Sequence, residues 1–210
     1  MTKILIVDDH PAFRLVMKIH LLQLLGVAEV IEAENGQAAV EMARQNAPDL
    51  AIIDLDIPRI NGLDVIPRLR LAHASVRVLV LSGQDPSTFA PRAMRSGAQG
   101  FVGKSQEMKE IMRGVEAVLA GYSVFPMNSG MGMSASNALL DEEDRLKQLS
   151  DKELMILQML SKGMSNKTIG EALFISDKTV STYKGRIQEK LGLSSLAALI
   201  EFASLQKLID

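Results

Sequence analysis

Three aspartates, a serine and a lysine in the first half of this chain are of the types that handle phosphoryl groups. Asp54 ends the apolar run Leu50–Ile53 (LAII), and Asp56, Pro58 and Gly62 close the segment. A short apolar run ending in turn residues reads as a strand buried on both faces. That reading sets Asp54 at the carboxyl end of the strand, where ligands collect in open α/β sheets. A carboxylate there is costly to desolvate unless a cation or partner attends it. Asp8 and Asp9 end a second apolar run, KILIV. The three acids converge if the two strands are neighbours. Clustered carboxylates repel one another unless a divalent cation sits among them, and an open oxygen site that keeps waters suits Mg²⁺. The expected metal residues are Asp8, Asp9 and Asp54. Asp54 is then free to attack phosphorus in line. Ser82 and Lys104 follow later strands, so they reach the same edge. A hydroxyl can bond a phosphoryl oxygen and an ammonium can pair with it. Phe101 reads either as core or as a rotating aromatic. The plainer alternative leaves Asp8 and Asp9 as caps of the first helix and Ser82 and Lys104 as ordinary loop residues.

Positioning such a cluster takes a particular succession of elements. Strands are expected at residues 3–7, 28–33, 50–54, 77–81 and 100–103. Helices are expected from Pro11, at 36–45, at 63–73, near 87–96 and at 107–120. Pro11 suits a helix start because its missing N–H costs nothing there. Five strands alternating with five helices through short turns imply a parallel sheet with right-handed crossovers. The fold class expected is α/β, a flavodoxin-like doubly wound (βα)5 domain, in which the acids converge if the strand order is 2-1-3-4-5. Residues 127–144 (MNSGMGMSASNALLDEED) break the rhythm with small, polar and then acidic residues. This composition suits a linker, the alternative being a long surface loop. The domains expected are 1–125, a linker at 126–146, and a helical domain at 147–210.

The last segment is helical throughout. Ser150 with Glu153 has capping-box spacing, and Ser165, Ser176 and Ser194 or Ser195 start three further helices. Gly163 and Gly192 stop two of them. Two short helices, a turn at Phe174–Ile175 and a longer helix at 177–191 form the pattern of a helix-turn-helix. At about 100° per residue, Val180, Tyr183, Ile187 and Leu191 share a core-facing stripe. The opposite stripe is Lys178, Ser181, Thr182 and Gly185, flanked by Thr179, Lys184 and Arg186. Hydroxyls there suit base edges, and the cations suit guanine or phosphate in a major groove. In the final helix, Leu196, Leu199, Ile200 and Ala203 form a dimer face or a packing face. Met155, Met159 and Met164 read as core filler.

Composition removes other classes. The 210 residues suit one large domain or two modest ones. No run approaches the roughly 20 apolar residues of a bilayer span, so no membrane role is expected. The N-terminus lacks a signal-peptide pattern. With no cysteine, disulfides and thiolate metal sites are excluded, and the expected location is cytoplasmic. Residues 150–210 hold eight basic and seven acidic residues. A case for nucleic-acid binding therefore rests on where charges sit, not on bulk charge.

The first 125 residues resemble the receiver domain of two-component response regulators. The resemblance rests on Asp8–Asp9, on D-x-D-x-P-x-x-x-G from Asp54 to Gly62, on Ser82, and on GAQGFVGK from Gly97 to Lys104. The stretch LSDKELMILQMLSKGMSNKTIGEALFISDKTVSTYKGRIQEKLGL resembles a LuxR-type helix-turn-helix. Together they resemble the NarL/FixJ family, which implies a phosphorylation-dependent transcriptional regulator rather than an enzyme. It further implies that a histidine kinase or phosphotransfer domain phosphorylates Asp54, and that Ser82 and Phe101 then rearrange. Asp56 would lend a backbone carbonyl to Mg²⁺, and its side chain and Gln84 lie where relatives tune loss of the phosphoryl group. The family also implies homodimers on double-stranded promoter DNA. Two positions depart from its pattern: many relatives have lysine where Ser181 stands and histidine where Tyr183 stands. Two rival readings are a receiver with a protein-binding helical output and a haloacid-dehalogenase-like phosphatase. The phosphatase would use Asp56 as general acid, but its other acids would lie downstream.

Overall fold

A computed structural model describes residues 1–58, 60–126, 145–206 and 208. The chain divides into two compact units, Met1–Met131 and Gly132–Asp210. The expected linker, 126–146, falls largely outside the described residues.

The first unit runs β1 (Thr2–Val7), α1 (Pro11–Leu21), β2 (Val27–Ala33), α2 (Gly36–Asn46), β3 (Leu50–Ile53), α3 (Gly62–Ala72), β4 (Arg77–Ser82), α4 (Pro86–Ser96), β5 (Gly100–Gly103) and α5 (Met108–Leu119). Every pairing is parallel, and the sheet order is β2-β1-β3-β4-β5. This is the expected doubly wound sheet. The central strands explain why: β3 is buried at all four positions, and β1 at Ile4–Val7. Continuous apolar runs stabilise only a sheet covered on both faces. Ile4, Ile6, Leu50, Ile52, Leu79 and Leu81 pack with Met17 and Leu21 of α1 and Ile111, Val115 and Val118 of α5. Each such side chain, fully buried, contributes about 1.5–3 kcal/mol. The register sets Val7 beside Ile53, so the residues after both strands emerge together at one edge.

The second unit holds α6 (Asp151–Ser161), α7 (Asn166–Leu173), α8 (Asp177–Leu191) and α9 (Leu196–Leu205). Ser150, Ser165, Ser176 and Ser195 each accept a hydrogen bond from a backbone N–H in the first turn of the helix that follows. Substituting such a cap by alanine costs about 0.5–2 kcal/mol. The Ser150–Glu153 capping box forms in full. Lys190 Nζ of α8 lies 2.6 Å from Glu153 Oε2, tying α6 to α8. Burial opposes the Glu153 charge, but Lys190 and Ser150 outweigh it and hold the carboxyl below its ordinary value.

Three packing expectations need correction. Val180, Ile187 and Leu191 are buried, but Tyr183 is only half-buried. Its ring lies 5.9 Å from Lys152 Nζ and 5.9 Å from Arg186 Cζ, so a phenol with a polar tip sits at the rim beside cations. Met155, Met159 and Met164 are likewise half-buried rather than core. Leu154, Ile156, Leu157 and Leu160 take the inward face of α6 instead. In α9 the expected stripe splits. Leu199 and Ala203 are buried with Phe202, whereas Leu196 remains 42% exposed.

Candidate functional site

Asp8 follows β1 and Asp54 follows β3. Their backbone N–H groups donate to Ala33 O at 3.1 Å and to Val7 O at 2.8 Å, which extends the ladder and fixes both side chains at the sheet edge. Asp8 and Asp54 are buried, and Asp9 is exposed. Single donor oxygens of Asp8, Asp9 and Asp54 and a ring nitrogen of His10 all lie within 4.8 Å of one another. Gly62 makes the loop after β3 possible. A Cβ there would lie 2.5 Å from Asp54 O and 2.6 Å from Leu55 Cα, so any larger residue would push Asp54 out of place.

Lys104 completes the cluster. Its Nζ lies 2.6 Å from Asp8 Oδ2 and 2.7 Å from Asp54 Oδ2, and also 4.6 Å from the centroid of the Phe13 ring. Asp8 and Asp54 are therefore held together by an ammonium, while Asp9 pairs with His10. Burial pushes the Asp54 carboxyl above its ordinary value, with Asp8 adding to the rise and Lys104 opposing it. Burial also opposes the Lys104 charge, but Asp54 and Asp8 outweigh it and hold the ammonium above its ordinary value. The two shifts have different causes: burial dominates at Asp54, and the two neighbouring carboxylates dominate at Lys104.

Ser82, the last residue of β4, is fully buried. Its carbonyl accepts from Lys104 N at 2.9 Å, and its hydroxyl accepts from Gln84 N at 3.2 Å. Asp56 is exposed. Its N–H donates to Asp54 Oδ1 at 3.3 Å, and its carboxylate accepts from Gln84 Nε2 at 2.6 Å, joining the loops after β3 and β4. Phe101 is buried at 1% exposure, so in this conformation it is core. His10 was not singled out by sequence reasoning. Its Nδ1 lies 2.7 Å from Asp9 Oδ1 and 3.3 Å from Asp8 Oδ1. A histidine directly after the acidic pair was the available signal.

The second region lies on α8. Lys178, Ser181, Thr182, Gly185 and Arg186 are exposed, and Thr179 and Lys184 half-buried. Two hydroxyls are engaged internally: Ser181 Oγ accepts from Asn166 Nδ2 at 2.9 Å, and Thr182 Oγ1 donates to Lys178 O at 3.1 Å. Gly170 positions the helix. A Cβ there would lie 2.7 Å from Ile175 O, so only glycine lets α7 approach the turn before α8 so closely. Phe174 in that turn is 71% exposed and has φ 55°. The left-handed region costs a residue with a Cβ roughly 1–2 kcal/mol. The sequence placed Phe174 in the turn, as observed, but gave neither its positive φ nor the close approach at Gly170. Gly170 is a mid-helix glycine, an ordinary flag for close approach, whereas a phenylalanine gives no hint of positive φ.

Residues 4–116 match the response regulator receiver domain, and residues 147–203 match the luxR family of bacterial regulatory proteins. A Pseudomonas aeruginosa protein named as a transcriptional regulator is 49% identical over 210 residues, with 100% of both chains covered. BvgA of Bordetella pertussis, whose name ties it to positive transcription regulation of virulence factors, is 42% identical over 96% of both chains. The fold matches that of RcsB from Salmonella enterica serovar Typhimurium, solved bound to promoter rprA with the phosphomimetic BeF3⁻. The TM-score is 0.69 at 23% identity, covering 97% of this chain and 98% of RcsB.

A doubly wound domain with an acidic rim, followed by a helical output domain, defines a response regulator. The chain belongs to the NarL/FixJ-type response regulators, whose members regulate transcription. Neither the phosphatase nor the protein-binding tail is favoured. Among the described residues no helix is long and apolar enough to cross a membrane.

Proposed function

We propose that Asp54 accepts a phosphoryl group from the histidine of a partner kinase or phosphotransfer domain, and that this controls promoter binding by α8. The observation that carries the reading is Lys104 Nζ set between Asp8 and Asp54 at 2.6 and 2.7 Å. That ammonium lies where an incoming phosphoryl oxygen would need a counter-charge. An Asp54 carboxylate oxygen forms the new bond to phosphorus as the bond to the donor's histidine nitrogen breaks. Lys104 leaves the carboxylates to pair with a phosphoryl oxygen, and the Ser82 hydroxyl turns toward another. Phe101 rearranges with Ser82, which carries the change into the adjoining surface.

The donor set fits Mg²⁺: three carboxylates at one edge, with Asp9 exposed so that an ion there can keep its waters. Asp8, Asp9 and Asp54 would hold it, with the carbonyl of Asp56. When bound, the ion supplies positive charge for the transferring oxygens. Asp56 and Gln84 stand beside Asp54 and would set access of water to the acyl phosphate. The domains act as 1–125 for phosphoryl uptake, 126–146 as linker and 147–210 for DNA. The binding residues on α8 are Lys178, Thr179, Ser181, Thr182, Lys184, Gly185 and Arg186. A homodimer would read an inverted repeat of double-stranded promoter DNA, in the cytoplasm, without an enzymatic reaction on a separate substrate.

The test is labelling by acetyl phosphate with Mg²⁺, followed by measurement of DNA affinity. Wild type takes up one acid-stable, base-labile phosphoryl group per chain, and Asp54→Asn takes up none. Labelling that persists in Asp54→Asn would move the nucleophile elsewhere. Labelling without any change in DNA affinity would remove the link to α8.

A further inference from the structure

The turn between α7 and α8 contains a contradiction between local backbone and side chain. Phe174 is the C-cap of α7, with φ 55° and ψ 42°. Only Ala47 among the other described non-glycine residues has positive φ. Glycine takes this conformation freely and asparagine tolerates it, whereas a bulky residue there is a genuine outlier. The aromatic side chain offers little in return within its own unit, because Phe174 is 71% exposed. Burial cannot account for it. Strained residues kept by a fold cluster at ligand contacts, which directs attention to what lies nearby.

What lies nearby is the start of α8. Ser176 caps that helix, and Lys178 and the exposed hydroxyls follow within its first two turns. In a helix-turn-helix the N-terminal residues of the recognition helix meet base edges, so the preceding turn lies at the groove wall. An exposed aromatic there suits an apolar partner. In a major groove that partner is the C5-methyl of thymine. Gly170 adds rigidity, because α7 packs directly on the carbonyl of Ile175, and Phe174 cannot swing away by moving the turn.

We propose that Phe174 is a specificity residue that contacts a thymine methyl at the edge of the α8 half-site, its strained backbone being retained for that contact. The proposal rests on the DNA-binding reading of α8.

The test uses the full-length chain and a duplex that wild type selects from a randomised pool. Phe174→Asn relieves the backbone, so its melting temperature is expected to equal or exceed that of wild type. Its affinity for the duplex is expected to fall about tenfold, or 1.4 kcal/mol, with the salt slope unchanged because no phosphate contact is lost. Replacing thymines by deoxyuridine one at a time should reveal one position that weakens wild type and leaves Phe174→Asn unaffected. Phe174→Trp should retain the affinity. The proposal is overturned if Phe174→Asn binds as wild type does, if it melts lower, or if no deoxyuridine position separates the two. Failure of wild type to select any duplex would instead overturn the reading of α8.

Discussion

Lys104 and Lys178 carry the same charge in opposite surroundings. At the edge of the sheet, Lys104 is largely enclosed and lies within 2.7 Å of two buried carboxylates. On α8, Lys178 is exposed beside hydroxyls. The rim holds its charges by geometry in a poorly solvated place, so each depends on the other two. The face of α8 holds its cations in water, where their repulsion is screened over about 8 Å. On the proposed reading, the first region keeps opposite charges together until a phosphoryl group arrives, and the second releases counterions to a polyanion. Salt should therefore act on the second and barely on the first.

Lys104→Met is expected to have the largest effect on stability. Removing one member of a buried ion pair leaves uncompensated charge and costs about 3–5 kcal/mol. Lys178→Ala should stay within about 0.5 kcal/mol of wild type, as exposed substitutions do. Urea unfolding of both variants checks this, and equal costs would erase the contrast. Next is Gly170→Ala. The new Cβ meets a backbone carbonyl at 2.7 Å, and such overpacking costs about 1–3 kcal/mol. It should lower the melting of the helical unit and leave labelling at the rim unchanged.

The pH dependence sharpens the contrast further. Burial raises the Asp54 carboxyl above its ordinary value, so without added metal the carboxyl keeps its proton to a higher pH than an exposed aspartate does. The native state holds this proton more tightly than the unfolded chain, so Asp54 contributes stability at low pH that is lost as pH rises through its folded value. Asp54→Asn should flatten that slope in thermal melts. The smallest effect is Gly185→Ala. No atom lies within 4 Å of the added Cβ, so the helix should gain up to about 1 kcal/mol. The same methyl should weaken DNA binding, a change of opposite sign in the same variant.

Much of this was legible in one dimension because the relevant forces are local and periodic. Apolar runs without alternation could only be buried strands, and serines at helix starts fixed α7 at Asn166–Leu173 and α8 at Asp177–Leu191 as expected. Asp8, Asp9, Asp54 and Lys104 could be placed at one edge on the condition of the doubly wound order, which the sheet adopts. What lay beyond reach were facts set by a partner distant in sequence. Tyr183 fits the core stripe by period, yet it stands at the rim beside Lys152 and Arg186. The position of His10 after the acidic pair was a signal, but that its ring reaches both Asp8 and Asp9 is set by the folded loop.

By itself, the order of residue types determined the elements, their caps, the parallel sheet and the edge at which the acids emerge. These depend on burial patterns and backbone hydrogen bonding, which act within a few residues. Only the folded chain decided which cation sits between Asp8 and Asp54, why Gly62 and Gly170 tolerate no side chain, and that Phe174 stands exposed on a strained backbone. Those depend on distances of a few ångströms between segments that meet after folding, where a methyl group or one ammonium changes the balance.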